Sequence, residues 1–302
     1  MLENVLKTAL ECGCEVKTEA SLSEYTTFRT GGKARAVITP ENTASLLSVL
    51  RSCEENGIKY LVIGNGSNLL VSDNGFNGVV IRLVGKMNRV EYLGDGVIVC
   101  DAGASLTSLC VFALKHSLTG LEFAYGIPGS VGGAVFMNAG AYGGEMKDVL
   151  YKAEHIRLSD LSLGSFENEK LDFSYRHSAY SDGGYIITKA YFKLTQGNKE
   201  EIKSKMDELM QRRTEKQPLE YPSAGSTFKR PEGNFAGALI EKCSLKGYTV
   251  GGAQVSTKHA GFVVNIGSAT TNDILSVINH VQKTVKEQTG VTLEPEVRII
   301  EE

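Results

Sequence analysis

Tryptophan is absent from the 302-residue sequence, and neither sign of charge dominates it. The 32 Lys and Arg residues against 35 Asp and Glu residues give a formal net charge of −3, whereas nucleic-acid-binding proteins usually carry a basic surplus or stripe. No run approaches the roughly 18 consecutive apolar residues of a membrane-spanning helix, and the N-terminal segment lacks the apolar core of a secretory signal. We therefore expect a cytoplasmic protein with no nucleic-acid partner and no membrane partner.

Cysteine and histidine are scarce and are not arranged as metal ligands. None of the six cysteines forms a CxxC pair, and the five histidines form no HxxxH or HExxH pair. A chain of this length does not need disulfide staples. We expect reduced, mostly buried thiols and no metal site. The cysteines are Cys12, Cys14, Cys53, Cys100, Cys110 and Cys243.

Glycine, by contrast, is abundant, with 33 residues. One glycine-rich segment, GNGSN at 64–68, follows the apolar run 60–63, and its exposed backbone N–H groups and small polar side chains suit a pyrophosphate. It matches neither the GxGxxG dinucleotide fingerprint nor a P-loop. Read alone, it is equally a plain turn at the end of a strand.

A second segment, 120–144, is rich in both glycine and apolar residues, unlike a flexible linker. Glycine permits close approach of the backbone to a ligand, although a tightly packed structural loop would have the same composition. The two segments together favour an extended, phosphate-bearing cofactor over two unrelated turns. The sequence 120–144 keeps neither a helical nor a strand period for long.

Hydrophobic periodicity predicts a mixture of helices and strands in two or three compact units, because a domain averages about 150 residues. The second helix is expected to start at Thr39, as its cap, with Pro40 in its first turn, and to stop at Gly57. Ser105 is the expected cap of the third helix. Helices are predicted near 2–11, 40–56, 106–114, 200–213, 235–244 and 272–288, and strands near 60–63, 79–84, 97–101, 152–158, 185–194, 248–255, 261–266 and 296–300.

Individual polar residues do not name a reaction. Arg176, in YRHS, has the planar fork that suits a carboxylate, but it is equally a surface arginine in a structural pair. Ser226, in AGSTFKRP, lacks a GxSxG context and reads alone as a turn residue. Glu294 and Glu296 flank Pro295 and read alone as a solvated strand end.

Six ordered motifs, from about residue 20 to the end, resemble the UDP-N-acetylenolpyruvoylglucosamine reductase family. The motifs are RTGGKA at 29–34, GNGSNLLV at 64–71, GIPGSVGGAVFMNAGAYG at 126–143, YRHS at 175–178, AGSTFKRP at 224–231 and EPEVRII at 294–300. The short stretch between YRHS and AGSTF resembles the compact subtype, which lacks an additional tyrosine-bearing loop.

The resemblance implies an α+β fold with an FAD-binding region of the PCMH or vanillyl-alcohol-oxidase type, made of two subdomains, and a C-terminal α+β substrate domain. The expected divisions are 1–85, 86–196 and 197–302. It also implies non-covalent FAD, NADPH as co-substrate, and reduction of UDP-N-acetylglucosamine enolpyruvate to UDP-N-acetylmuramate, a peptidoglycan precursor.

The resemblance further implies roles for single residues. Arg176, Ser226 and Glu296 match the catalytic positions, with Arg176 stabilising enolate charge and Ser226 supplying a proton with help from Lys229 or Glu296. Lys229 and Arg298 are candidates for substrate contacts. The expected cofactor contacts are Gly64, Asn65, Gly66, Ser67, Asn68, Gly126, Pro128, Gly129, Ser130, Gly132, Gly133, Asn138, Gly140 and Ala141.

Two other interpretations fit part of the sequence. A different PCMH-type flavin oxidoreductase would share the glycine-rich motifs but not AGSTFKRP together with EPEVR. A non-catalytic nucleotide- or flavin-binding regulator would share the binding residues without turnover, although this chain keeps all three candidate catalytic residues.

Overall fold

The computed structural model describes residues 1–301 and contains seven α-helices in that range. The helices are α1 Leu2–Glu11, α2 Thr43–Glu55, α3 Leu106–Lys115, α4 Val131–Phe136, α5 Lys199–Lys216, α6 Ala236–Lys242 and α7 Thr271–Thr289. None of the described helices is both long and apolar enough to cross a membrane.

The strands of the described residues are mostly short. They are β1 Glu15–Ser21, β2 Lys33–Thr39, β3 Tyr60–Ile63, β4 Leu69–Val71, β5 Phe76–Arg82, β6 Val90–Gly94, β7 Val97–Asp101, β8 Leu118–Thr119, β9 Gly140–Ala141, β10 Gly144–Glu145, β11 Leu150–Arg157, β12 Leu163–Glu167, β13 Tyr185–Lys193, β14 Thr195–Gln196, β15 Thr249–Val250, β16 Ala253–Val255, β17 Val263–Asn265 and β18 Arg298–Ile300.

The chain forms two compact units, each with its own apolar core. Unit 1 comprises 1–17, 36–65 and 78–212, and unit 2 comprises 18–35, 66–77 and 213–302. The division into 1–85, 86–196 and 197–302 stays a prediction.

Unit 1 contains a five-stranded antiparallel sheet in the order β12-β11-β13-β7-β6. Strand β3 pairs in parallel with β5, at the edge of a second sheet ordered β1-β2-β5-β3. The N-terminal helix packs on α2. Ser105 caps α3 as predicted, accepting from the Ser108 N–H at 3.0 Å.

Unit 2 is built around α7, whose inward face follows the predicted helical period. Ile274, Val277 and Val281 are fully buried on that face. Thr270 caps the first turn, and Gly290 ends the helix in the left-handed conformation that glycine adopts without strain. The antiparallel strands β15, β16 and β17 contact α7, and β18 pairs in parallel with β4.

Several predicted boundaries were wrong. Thr39 ends β2 and does not cap α2; the cap is Asn42, whose Oδ1 accepts from the Ser45 N–H at 3.0 Å. A helix, α4, and the hairpin β9–β10 lie within 120–144, where no regular period was evident. The predicted strand 248–255 is divided into β15 and β16.

All six cysteines are free, and five of them are buried, as predicted. Burial raises the pKa of Cys53 and of Cys110 to about 12, so these thiols stay protonated at neutral pH. Their role is to fill the core of unit 1.

Candidate active site

Arg176 lies at the tip of a tight turn in unit 1. Ser174 and His177 exchange two N–H···O bonds of 3.2 Å, which leaves Tyr175 and Arg176 as the two central residues. Arg176 has a φ of +55°, a left-handed conformation that non-glycine residues rarely adopt and that persists only where the surroundings enforce it. Its guanidinium lies 5.0 Å from the centre of the Tyr175 ring.

Both sides of this turn are tied to the second glycine-rich segment. On one side, the Ser178 and Ser181 hydroxyls donate to the Phe136 main-chain oxygen at 2.7 and 2.9 Å. On the other side, Asn138 Nδ2 donates to the Ser174 main-chain oxygen at 2.9 Å. The turn that carries Arg176 is therefore held by residues just after α4.

The Asn138 side chain is fully buried and is used by the protein itself. Besides its bond to Ser174, Nδ2 donates to Glu145 Oε2 at 2.9 Å, and Oδ1 accepts from the Lys147 N–H at 3.0 Å. Both amide donors are thus occupied. The role of Asn138 as a cofactor contact stays a prediction, and any such contact would come from its backbone.

Glu145 brings a carboxylate into the neighbourhood of Arg176, and the sequence analysis did not single it out. The hydrogen bond from Lys147, whose Nζ is 2.9 Å away, lowers the pKa of Glu145. Burial, the second-largest influence, raises this pKa, and the hydrogen bond from Asn138 and the charges of Lys147 and Arg176 lower it. In the sequence, the feature that could have indicated Glu145 is its position directly after Gly143 and Gly144.

The two glycine-rich segments adjoin within unit 1. Asn65 Nδ2 donates to the Pro128 main-chain oxygen at 2.7 Å. A Cβ atom at Gly64 would lie 2.0 Å from Ser130 Oγ, so no larger residue fits there without movement. Gly64 is therefore needed for the packing of one segment on the other.

The first turn of α4 does not offer free N–H groups. The Val131 and Gly132 N–H groups donate at 2.8 Å to the main-chain oxygens of Ala104 and Ala102, and the Gly133 N–H donates to Ser130 Oγ at 3.3 Å. These donors are satisfied by the protein. The cofactor contacts predicted for Ser130, Gly132 and Gly133 stay predictions, and these N–H groups are not available to make them.

The loop at 65–68 has the donors that the first turn of α4 lacks. Within residues 1–301, no protein acceptor lies within hydrogen-bonding distance of its four consecutive backbone N–H groups. A Cβ at Gly66, whose φ is +62°, would lie 2.0 Å from the Tyr25 main-chain oxygen. Successive unpaired N–H groups in a turn form an anion-binding concavity, so this loop fits the diphosphate of a dinucleotide.

Ser226 and Glu296 are connected through Thr227 in unit 2. The Glu296 N–H donates to the Thr227 main-chain oxygen at 2.8 Å, beside a backbone bridge between Phe228 and Pro295. Thr227 is fully buried; its N–H donates to the Gly261 oxygen at 2.8 Å, and its hydroxyl accepts from the Val263 N–H at 2.9 Å. Ser226 itself is exposed.

The two candidate substrate residues also lie in unit 2. Lys229 Nζ is 3.3 Å from Glu294 Oε2, so the charge of Lys229 is paired with Glu294. Glu294 and Glu296 lie on opposite sides of Pro295 in the sequence. The Arg298 N–H donates to the Asn68 main-chain oxygen at 2.9 Å at the start of the β4–β18 pair. Their substrate roles stay predictions.

The sequence was compared with family profiles and with curated proteins. The profile described as "FAD binding domain" matches residues 34–157, and the profile "UDP-N-acetylenolpyruvoylglucosamine reductase, C-terminal domain" matches residues 217–300. The UDP-N-acetylenolpyruvoylglucosamine reductase of Caldanaerobacter subterraneus subsp. tengcongensis is 46% identical over 100% of this chain and 99% of its own length. That of Clostridium novyi is 50% identical over 95% of this chain and 93% of its own length.

Solved structures show the same kinship. The crystal structure of the Thermus caldophilus UDP-N-acetylenolpyruvylglucosamine reductase matches with a TM-score of 0.81 and 38% identity, over 95% of this chain and 98% of that one. Wild-type Phl p 4.0202, a glucose dehydrogenase, matches at 17% identity and a TM-score of 0.50 over 66% of this chain and 44% of its own, a likeness of fold alone.

The expected α+β, PCMH-type architecture is confirmed, and the cofactor of the FAD-binding domain is FAD. Contact of the loop at 65–68 with the diphosphate of that cofactor stays a prediction, and the N–H groups of this loop have no protein partner that would compete with it. Because full-length relatives named as reductases share almost half of its residues, the chain is an oxidoreductase and belongs to the UDP-N-acetylenolpyruvoylglucosamine reductase family.

Proposed function

We propose that this enzyme reduces the enolpyruvyl ether of UDP-N-acetylglucosamine to UDP-N-acetylmuramate, with NADPH as reductant, in the synthesis of peptidoglycan precursors. The observation that carries the proposal is identity of 46% to a reductase of that name over the full length of both chains. The candidate catalytic residues Arg176, Ser226 and Glu296 are all present in this chain.

FAD, which the loop at 65–68 would help to hold, would supply the hydride chemistry that links NADPH to the terminal vinyl carbon of the substrate. Addition of hydride to that carbon moves the electron pair of the double bond towards the neighbouring carboxylate. The Arg176 guanidinium stabilises this enolate charge, and the strained turn holds it in place before the charge develops. Such a preorganised donor typically contributes roughly 3 kcal/mol to the stability of a transition state.

Ser226 donates a proton to the carbon that bears the carboxylate. A serine hydroxyl is a weak acid, so the proton must be replaced from a neighbouring group, and general-acid help typically contributes about 10²- to 10⁴-fold to a rate. Lys229 is paired with Glu294, whereas Glu296 is joined to the residue after Ser226 by a backbone hydrogen bond. We therefore assign the assisting role to Glu296.

An anaerobic absorbance titration tests the function. NADPH is added to the flavin-loaded protein until the visible flavin band bleaches, and UDP-N-acetylglucosamine enolpyruvate is then added. We expect stoichiometric recovery of the band. Recovery only after oxygen is admitted would indicate a flavin oxidase, and a protein that NADPH never bleaches would indicate a binding protein or a different reductant.

A further inference from the structure

Asn68 contacts the strand that follows Glu296. Its Nδ2 donates to the Glu296 main-chain oxygen at 3.0 Å, and its own main-chain oxygen accepts from the Arg298 N–H at 2.9 Å. One residue of the first glycine-rich segment thus bonds to the backbone on both sides of Val297. The pairing of β4 with β18 continues this contact along the chain.

Both main-chain polar groups of Glu296 are therefore hydrogen-bonded, and the two partner residues differ in burial. Its N–H donates to Thr227, which is fully buried and has two further hydrogen bonds of its own. Its C=O accepts from the side chain of the half-buried Asn68. The Asn68 amide belongs to a half-buried side chain, so a single substitution can remove this hydrogen bond without disturbing the core.

We propose that Asn68 is a positioning residue for Glu296. Asn68 was expected to contact the cofactor, but its amide donates to the main chain of Glu296, just before β18. The inference rests on the proposed function, in which Glu296 assists proton transfer. A displacement of about 1 Å at a catalytic group can cost on the order of 10²-fold in rate, so loss of the tether acts on the step that uses Glu296.

The test replaces the amide by a group of the same shape that cannot donate when ionised. In Asn68→Asp, we expect the rate of flavin reoxidation by UDP-N-acetylglucosamine enolpyruvate to fall at least tenfold relative to the rate of bleaching by NADPH. The ratio of the two rates, measured on fully loaded enzyme, is insensitive to loss of cofactor. Asn74→Asp is the matched control, because it makes the same change of charge at an exposed asparagine of unit 2 that lies outside the candidate site. We expect it to keep the ratio within twofold.

A double-mutant cycle identifies the partner. If Asn68 acts through Glu296, the ratio in Asn68→Asp/Glu296→Gln equals that in Glu296→Gln within twofold, because coupled residues are not additive. An additive loss in the double variant would overturn the proposal, as would an unchanged ratio in Asn68→Asp or an equal fall in Asn74→Asp.

Hydrogen–deuterium exchange supplies a readout that does not depend on activity. In the holoenzyme, Asn68→Asp should speed exchange at the Glu296 and Arg298 amides at least fivefold, and Asn74→Asp should leave these amides unchanged. Unchanged exchange in Asn68→Asp would overturn the tether. Failure of the enolpyruvyl substrate to reoxidise the wild-type flavin, with exchange behaving as expected, would instead place the fault in the proposed function.

Discussion

Asn138 joins the second glycine-rich segment to the turn of Arg176 by donating to the Ser174 main-chain oxygen at 2.9 Å. Its side chain makes two further hydrogen bonds, to Glu145 and from Lys147, and has no exposed surface. The turn is therefore positioned by a polar group that is completely enclosed by protein.

Replacement of Asn138 by alanine should destabilise the protein strongly. It removes three hydrogen bonds of a fully buried amide, to the Ser174 oxygen, to Glu145 and from the Lys147 N–H, and each such bond contributes about 0.5–1.5 kcal/mol to stability. We expect a loss of about 3 kcal/mol in the free energy of unfolding, measured with urea. Asn168→Ala is the control, because Asn168 has a similar positive φ of +47° but is exposed. An equal loss in both variants would show that only backbone conformation matters.

The left-handed conformation of Arg176 can be separated from its chemistry. Arg176→Gly and Arg176→Ala remove the same guanidinium, but only alanine keeps a Cβ at a φ of +55°. We expect the glycine variant to be more stable than the alanine variant by about 1 kcal/mol in urea unfolding.

Both Arg176 variants should slow flavin reoxidation by the enolpyruvyl substrate by about 10²-fold, the typical cost of losing one charge-stabilising donor. Stopped-flow absorbance measures this rate. Normal reoxidation in either variant would remove Arg176 from the chemistry, and equal stability of the two would show that the turn is not strained.

Ser226→Ala should separate the two half-reactions. We expect bleaching by NADPH at the wild-type rate and reoxidation slowed by about 10²- to 10⁴-fold, because only the second half needs the proton. Ser223→Ala, three residues earlier in the same segment, is the control and should change neither rate. Equal losses in both half-reactions of Ser226→Ala would contradict the role of Ser226 as proton donor.

Two histidines, the buried His155 and the half-buried His259, should make stability depend on pH. Burial lowers the pKa of His155 and of His259 below the ordinary value of 6.5. The unfolded chain therefore binds protons first as the pH falls, so stability is complete above pH 6.5 and declines below it towards the folded pKa values. The slope is at most about 1.4 kcal/mol per pH unit for each histidine.

Urea unfolding at successive pH values from 7.5 to 5, as a rough range above the titration of most carboxylates, checks this dependence. His155→Gln should reduce the slope by the contribution of one proton. A slope that is the same in His155→Gln and in the wild type would show that His155 does not contribute.

Helix α7 shows what local sequence determines. Its apolar period, its Thr270 cap and its Gly290 end are all encoded within about 20 residues, and each reflects a local physical preference for helix or for termination. At α2 the same reasoning failed, because Thr39 and Asn42 both satisfy the rule for a cap. Thr39 does not cap the helix because it is the last residue of β2.

By itself, the sequence determined the α+β class and the family, because these depend on residue identity and order. Only the tertiary structure decided that the N–H groups at the start of α4 are occupied while those at 65–68 are free, since hydrogen-bond partners far apart in sequence cannot be read from composition. In the same way, it directed the amides of Asn68 and Asn138 to backbone oxygens at Glu296 and Ser174, because a buried amide must bond to whatever acceptor the packed chain brings to it.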